Sequence, residues 1–247
     1  MKNTLSLLVT LLLLHPHNAT AQRVAFESTA AQVGLLELYT SEGCSSCPPA
    51  EEWLSKLKQH PGVWSKFIPI ALHVDYWDYI GWEDRFASPS YAKRQRQYAK
   101  EKSLTAVYTP GFVYNGTESR KWYTSRKVNF PEGDSPGVLR LEVDGSEAQI
   151  DFAPTQELGK QLQVNIAILG FDLETQVRAG ENRGKTLPHD FVVLGIKQST
   201  ATWQKDGYST IVTLPTPSQE ALQYGVVAWV SSPGKQLSIQ AVGGLLP

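Results

Sequence analysis

Apolar residues in the first half of the chain fall into short runs that alternate with stretches of helical spacing. Residues 33–40 and 67–75 are rich in Val, Ile, Leu and Tyr. Between them, Trp53, Leu54 and Leu57 share one face of a helix predicted over 50–59. Strand, helix, strand is the pattern of a parallel βαβ unit. Ser88-Pro89 pairs a cap with proline at the first helical position, which predicts a second helix running to about Lys102 and followed by a strand over 107–114. Beyond Pro136 the period changes. Leu139, Leu141 and Val143 alternate up to Asp144-Gly145, a two-residue hairpin signal, and Ala148, Ile150 and Phe152 alternate back. Further short strands are predicted at 162–169, 191–196, 209–214, 224–230 and 237–242, the spacing of an antiparallel sandwich or barrel. The Pro-Glu-Gly-Asp-Ser-Pro-Gly stretch at 131–137 is the natural break, giving expected domains over 22–135 (α/β) and 136–247 (β-rich, sandwich-like).

The chain opens with Met1 and Lys2, an apolar run over 5–14 and the small-residue site Ala19-Thr20-Ala21. This predicts a secretory signal peptide over 1–21, removed to give a mature start near Gln22 and a periplasmic or secreted protein. The run is shorter than the roughly 20 residues of a transmembrane helix, and no later segment qualifies. With 247 residues, 41% hydrophobic, 19% charged and a net charge of -1, the composition excludes disorder and electrostatic capture of nucleic acid or anionic membrane.

Only 2 Cys are present, which rules out a four-cysteine zinc site. They form Cys44-Ser45-Ser46-Cys47, where the first strand hands over to the first helix. Free N–H groups and the positive end of a helix dipole lower a thiol pKa there. Cys44 is therefore expected to be an exposed, acidic, attacking thiolate, and Cys47 the resolving thiol of a thiol-disulfide exchange. In chain-entropy terms, closing a loop of about four residues stabilises by roughly 2 kcal/mol, against about 4 to 5 for a hundred, which argues against a mere staple. Pro48-Pro49 places the start of regular helix at Ser46 or Cys47 and weakens the dipole contribution to Cys44. Two alternatives stand beside exchange: a binding module whose disulfide stays closed, and a copper(I) site of two thiolates. His60, His73 and His189 show no zinc-like spacing and read as surface or satisfied core residues, so no cofactor and no metal ligand set are expected.

Asp75 lies where the second predicted strand ends, on the same face as His73. It is a candidate proton relay for Cys44 or, alternatively, a cap of the next loop. Trp77 belongs to an aromatic group with Tyr76, Tyr79 and Trp82 that either walls a substrate groove or packs beneath a loop. Gly180-Glu181-Asn182-Arg183-Gly184-Lys185-Thr186 comes near a phosphate loop, but has three residues between its glycines instead of four.

Proline within the strand at Tyr108-Thr109-Pro110-Gly111 requires an edge, a bulge or a cis bond. A Cys-x-x-Cys between strand and helix, followed later by Thr-Pro, resembles the thioredoxin-like fold, which implies a cis Pro110 facing the cysteines and adds Thr109 and Pro110 to the substrate-binding site. A closer match is carried by residues 38–49, His73-Val74-Asp75-Tyr76-Trp77-Asp78, Tyr108-Thr109-Pro110 and Arg178-Ala179-Gly180-Glu181-Asn182. These resemble an exported bacterial family catalogued as domain of unknown function 1223 over nearly the whole mature chain. The resemblance implies a thioredoxin-like α/β domain followed by an all-β, sandwich-like domain, while the exchange reading of Cys44 and Cys47 makes protein thiols or disulfides the expected partners. The direction of exchange stays open.

Overall fold

Two segments, GLLELYT and FIPIALH, are buried along their entire length, as strands covered on both faces must be. They form the centre of the structure, a computed structural model that describes residues 23–125, 130–131 and 133–247. The predicted signal peptide lies outside the described residues. In chain order the elements are β1 (Val24–Glu27), β2 (Gly34–Thr40), α1 (Pro48–Lys56), β3 (Phe67–His73), α2 (Pro89–Lys100), β4 (Gly111–Tyr114), β5 (Thr117–Glu118) and α3 (Lys121–Ser125). There follow β6 (Gly137–Asp144), β7 (Glu147–Pro154), β8 (Gln161–Phe171), β9 (Leu173–Gln176), β10 (Thr186–His189), β11 (Val192–Gln204), β12 (Gly207–Thr213), β13 (Gln223–Ser231) and β14 (Ser238–Leu245).

Local signals set several of these ends. Ser88 caps α2 by accepting from the Ser90 amide at 3.3 Å, with Pro89 first in the helix. Gly145, at φ 59°, turns β6 back into β7, which pairs with it antiparallel from Asp144↔Glu147 to Gly137↔Pro154. The Thr109–Pro110 peptide is cis, and the strand expected from 107 begins only after it, at Gly111.

The expected fold class is not what the chain adopts. In place of an α/β thioredoxin-like domain followed by a separate all-β sandwich, a single mixed sheet of 12 strands runs through both halves, and strand predominates. Its path is β1-β6-β7-β12-β11-β3-β2-β4-β5, with β8, β13 and β14 continuing from β11. One join is a parallel contact, Val192↔Ala71, at which the Ala71 amide donates to the Phe191 carbonyl at 2.8 Å, and another is the antiparallel pairing of β1 with β6. β11 spans 13 residues. Its start lies against β3, its end against β12, and β8 runs alongside from Val192↔Gly170 to Thr202↔Gln161. Such pairing is non-local, so alternation along the sequence does not reveal it.

The cores follow the same plan. Trp229 of β13 and Ala241 of β14 are packed with Leu35, Leu38 and Phe112 in one apolar cluster. A second cluster joins Leu139, Ile150 and Phe152 to Ile166, Val226 and Ala228. A buried ion pair fastens α2 to the sheet: Arg94 Nε donates to Glu37 Oε2 at 2.6 Å and Nη2 donates to Oε1 at 2.9 Å. Tyr98 and Tyr39 hydroxyls also donate to that carboxylate, while Arg94 bonds Gln236 from the loop before β14. Removing the arginine strands a carboxylate in the interior. Arg94→Ala is expected to destabilise the chain by about 3 to 5 kcal/mol, measured as a lower urea midpoint, and adding Glu37→Gln should cost less than the sum of the single changes.

Candidate functional site

The two cysteines sit between the end of β2 and the start of α1. The Cys47 amide donates to the Cys44 carbonyl at 3.1 Å, and Cys47 is the residue immediately before the helix. Pro48 and Pro49 occupy the first two helical positions and have no N–H to offer. The amides of Ala50 and Glu51 are committed to the Cys47 carbonyl, at 2.8 and 3.2 Å. The helix terminus therefore supplies Cys44 with little, and its sulfur relies on local donors. The Cys47 thiol contributes most to lowering its pKa. Burial acts against it, and the Ser46 hydroxyl (3.2 Å from Sγ), Thr109 hydroxyl and Ser46 amide complete a set that brings Cys44 down to about 6. Burial pushes Cys47 well up, reinforced by the hydrogen bond and negative charge of Cys44. One thiol is thus set to be a thiolate near neutrality and the other to keep its proton.

Exposure is where the expectation needs correcting: Cys44 is only 1% exposed and Cys47 is fully buried. Part of the cover over the cysteine loop comes from the second half of the chain. Asn182, itself fully buried, donates from Nδ2 to the carbonyls of Glu42 and Cys44 at 2.8 and 3.0 Å, and Glu181 accepts from the Ser45 amide at 3.0 Å. Both residues belong to the turn joining β9 to β10. On the other side, Trp77 Nε1 donates to Thr109 Oγ1 at 2.7 Å, and the Trp77 Cβ lies 3.0 Å from where a side chain on Gly43 would begin.

Beneath the cysteines is a buried cluster of two histidines and three carboxylates. The Thr40 hydroxyl bonds Cys47 and donates to Glu51 Oε1 at 2.6 Å. His189 Nδ1 donates to Glu51 Oε2. His73 Nδ1 donates to Asp84 Oδ2 at 2.7 Å, and that carboxylate also accepts the amides of Glu42 and Phe86. Glu42 Oε2 accepts from Trp82 Nε1 at 2.7 Å. Glu42, His73 and His189 are 0, 0 and 1% exposed, and Glu51 and Asp84 5 and 3%. Burial alone would push His189 down, but the charge of Glu51 and the adjoining Glu42 outweigh it and hold His189 at about 10. His73 is raised in the same way by Asp84 against burial, and Glu51 and Asp84 are lowered by the imidazoles. The negative charge of Glu51 adds to the effects that keep Cys47 protonated.

Of the residues singled out from sequence, Cys44, Cys47, Thr109 and Trp77 meet here, with the cis Pro110 directly after Thr109. Asp75 enters through its backbone, its carbonyl accepting the Asp78 amide at 3.1 Å, and the carboxylate beside Cys47 is Glu51. Sequence reasoning missed Glu51, Glu42, Asp84, Asn182 and the meeting of His73 with His189. Glu51 had a usable signal, since it stands four residues after Cys47 on the same helical face. His189 had none, because only the folded sheet brings it to α1.

The sequence of residues 35–231 matches the family described as Protein of unknown function (DUF1223), and the chain belongs to that family. Among solved structures, a crystal structure of a protein from Agrobacterium tumefaciens is similar at 23% identity and a TM-score of 0.60, covering 89% of this chain and 95% of that one. HBP35 of Porphyromonas gingivalis is similar at 16% identity and a TM-score of 0.62, covering 87% of this chain and 76% of that one. Both likenesses concern the fold. No curated protein matches the sequence.

Two outcomes follow from this geometry. The pH profile of Cys44 alkylation by iodoacetamide should have its midpoint near 6, the rate falling below it as the thiolate is protonated, and Thr109→Val should move that midpoint upward. Asn182→Ala removes two hydrogen bonds that hold the cover. At about 1 kcal/mol or more each, the Cys44 alkylation rate should rise about tenfold or more at fixed pH.

Proposed function

We propose that this chain is an exported dithiol protein that exchanges disulfides with protein partners, Cys44 forming the mixed disulfide and Cys47 resolving it. The observation carrying this reading is the asymmetric thiol pair: Cys44, lowered to about 6 by Cys47, Ser46 and Thr109, beside a deeper Cys47 raised well above the ordinary value. The Cys44 thiolate attacks one sulfur of a partner disulfide, and the other leaves as a thiolate that takes a proton from water. Cys47 then gives up its proton and attacks Cys44. The partner's second thiol departs, and two electrons have passed to the partner as the Cys44–Cys47 disulfide forms. The reverse sequence oxidises a partner dithiol. Thr109, whose hydroxyl bonds Cys44, and Trp77, which bonds that hydroxyl, support partner binding on that side of the sulfur. Export is supported by the 1–21 leader pattern.

Burial of Cys44 gives the exchange a preceding step, displacement of the 180–184 turn. It also favours a second reading, a binding module that keeps its disulfide closed. A reduction potential below about -300 mV supports that module, and one between about -270 and -120 mV supports exchange. Trapping separates them directly. Cys47→Ser expressed with its leader should accumulate partners joined through Cys44, visible as bands that collapse on reduction and are absent from the Cys44→Ser/Cys47→Ser variant. Failure of any such band to form, with the chain folded, would refute exchange.

A further inference from the structure

Cys44 is shut away from large reactants, yet its surroundings keep it reactive. The residue is buried, while Ser45 and Ser46 directly after it lie at the surface. A protein disulfide reaches the sulfur only once the bonds that tie Glu181 and Asn182 to this loop give way. A molecule hardly larger than water needs only a small movement of the Ser45-Ser46 segment. Two hydroxyls serve the sulfur. Ser46 Oγ lies 3.2 Å from Sγ, and Thr109, whose oxygen accepts from the Trp77 indole at 2.7 Å, has its proton left for Cys44. The second thiol is already in place: both cysteines are free, and Cys47 bonds the Cys44 sulfur in the reduced protein. An oxidised Cys44 therefore meets its partner without a change of fold.

We propose that the reduced pair has a further activity, reduction of hydroperoxides the size of hydrogen peroxide, with Cys44 taking the oxygen and Cys47 closing the disulfide. The Cys44 thiolate attacks one peroxide oxygen. A sulfur–oxygen bond forms, the oxygen–oxygen bond breaks, and the other oxygen leaves as hydroxide that takes a proton from water. Negative charge grows on that departing oxygen, and the Ser46 and Thr109 hydroxyls that bond the resting sulfur are at hand to donate to it. Cys47 then attacks the sulfenic sulfur of Cys44. The sulfur–sulfur bond forms, and the hydroxyl departs with the Cys47 proton as water. Two electrons have passed from the thiol pair to the peroxide, and counting the proton that Cys44 gave up on ionising, one peroxide has become two waters. The step rests on the exchange reading only for the roles of the two thiols, and requires neither a protein partner nor displacement of the 180–184 turn. Exchange with a partner dithiol would return the pair to its reduced form.

The test uses the purified, reduced chain and hydrogen peroxide, with no partner present. One equivalent of peroxide should consume both thiols and leave a Cys44–Cys47 disulfide, identified by peptide mapping. Cys47→Ser should stop at a sulfenic acid on Cys44 that dimedone captures. Selection by size is read as the ratio of the peroxide rate to the iodoacetamide rate at Cys44, in which the thiolate fraction cancels. Only the larger reagent needs the two hydrogen bonds from Asn182 to open. The ratio should therefore be at least about tenfold higher in the folded chain than in the urea-unfolded chain, and Asn182→Ala should lower it. An equal or smaller ratio in the folded chain would overturn the proposal, as would oxygen-addition products without a disulfide in the unaltered chain. If Cys47→Ser or Asn182→Ala fails to fold, the ratio and product of the unaltered chain decide. A chain that reduces peroxide but traps no partner would refute exchange alone, and one that traps partners but spares peroxide would refute this activity alone.

Discussion

The carboxylate of Glu51 is the constraint on which the rest of the site turns. An ionised side chain in a dry interior is tolerated only if every lone pair that matters has a partner. Here the partners come from different elements, the Thr40 hydroxyl at the end of β2 and the His189 imidazole at the end of β10. Satisfying one oxygen fixes how α1 sits on the sheet. Satisfying the other fixes the hairpin over the helix. Cys47, the residue just before that helix, keeps its proton chiefly because it is buried, with the charge of Cys44 and then of Glu51 adding to the effect, and Cys44 in turn takes its acidity from Cys47.

Acidity and access are set by separate parts of the molecule. Donors to the Cys44 sulfur are supplied by its own loop and by Thr109, whereas the cover is supplied by Glu181 and Asn182 from the second half. Pro48 and Pro49 explain why the loop carries the electrostatic work, since they remove the first two amide donors of the helix. A change in the cover can therefore alter how fast the thiol is reached while leaving the donors to its sulfur in place.

Elements with local signals were legible in the sequence. Ser88-Pro89 marked the start of α2, Asp144-Gly145 marked the turn between β6 and β7, and the continuous apolar runs marked β2 and β3. Thr109 and Pro110 were set beside the cysteines by resemblance, whereas Trp77 stood only in an aromatic group that either walls a groove or packs beneath a loop. The architecture was not legible, because the pairings that join the halves, Val192 with Ala71 and β1 with β6, are between residues far apart in the chain. The histidines were misjudged for the same reason. His73 and His189 each look solitary along the sequence, yet their ring centres lie 5.3 Å apart. Burial of Cys44 escaped notice because Glu181 and Asn182, which bond its loop, lie in a segment that drew attention only for its likeness to a phosphate loop and to the family.

The long strand β11 has a consequence for how the chain tolerates being divided. Its first residues complete the sheet beside β3, and its last residues carry β12 and, through it, β7 and β6. A fragment ending in the proline-rich stretch near 135 would leave the backbone of β3 without its outer neighbour, a bare apolar edge of the kind that recruits other chains. The remaining piece would keep its antiparallel ladders but lose the helix against which its small hairpin rests. The proline-rich punctuation thus marks a change of texture that the sheet itself crosses.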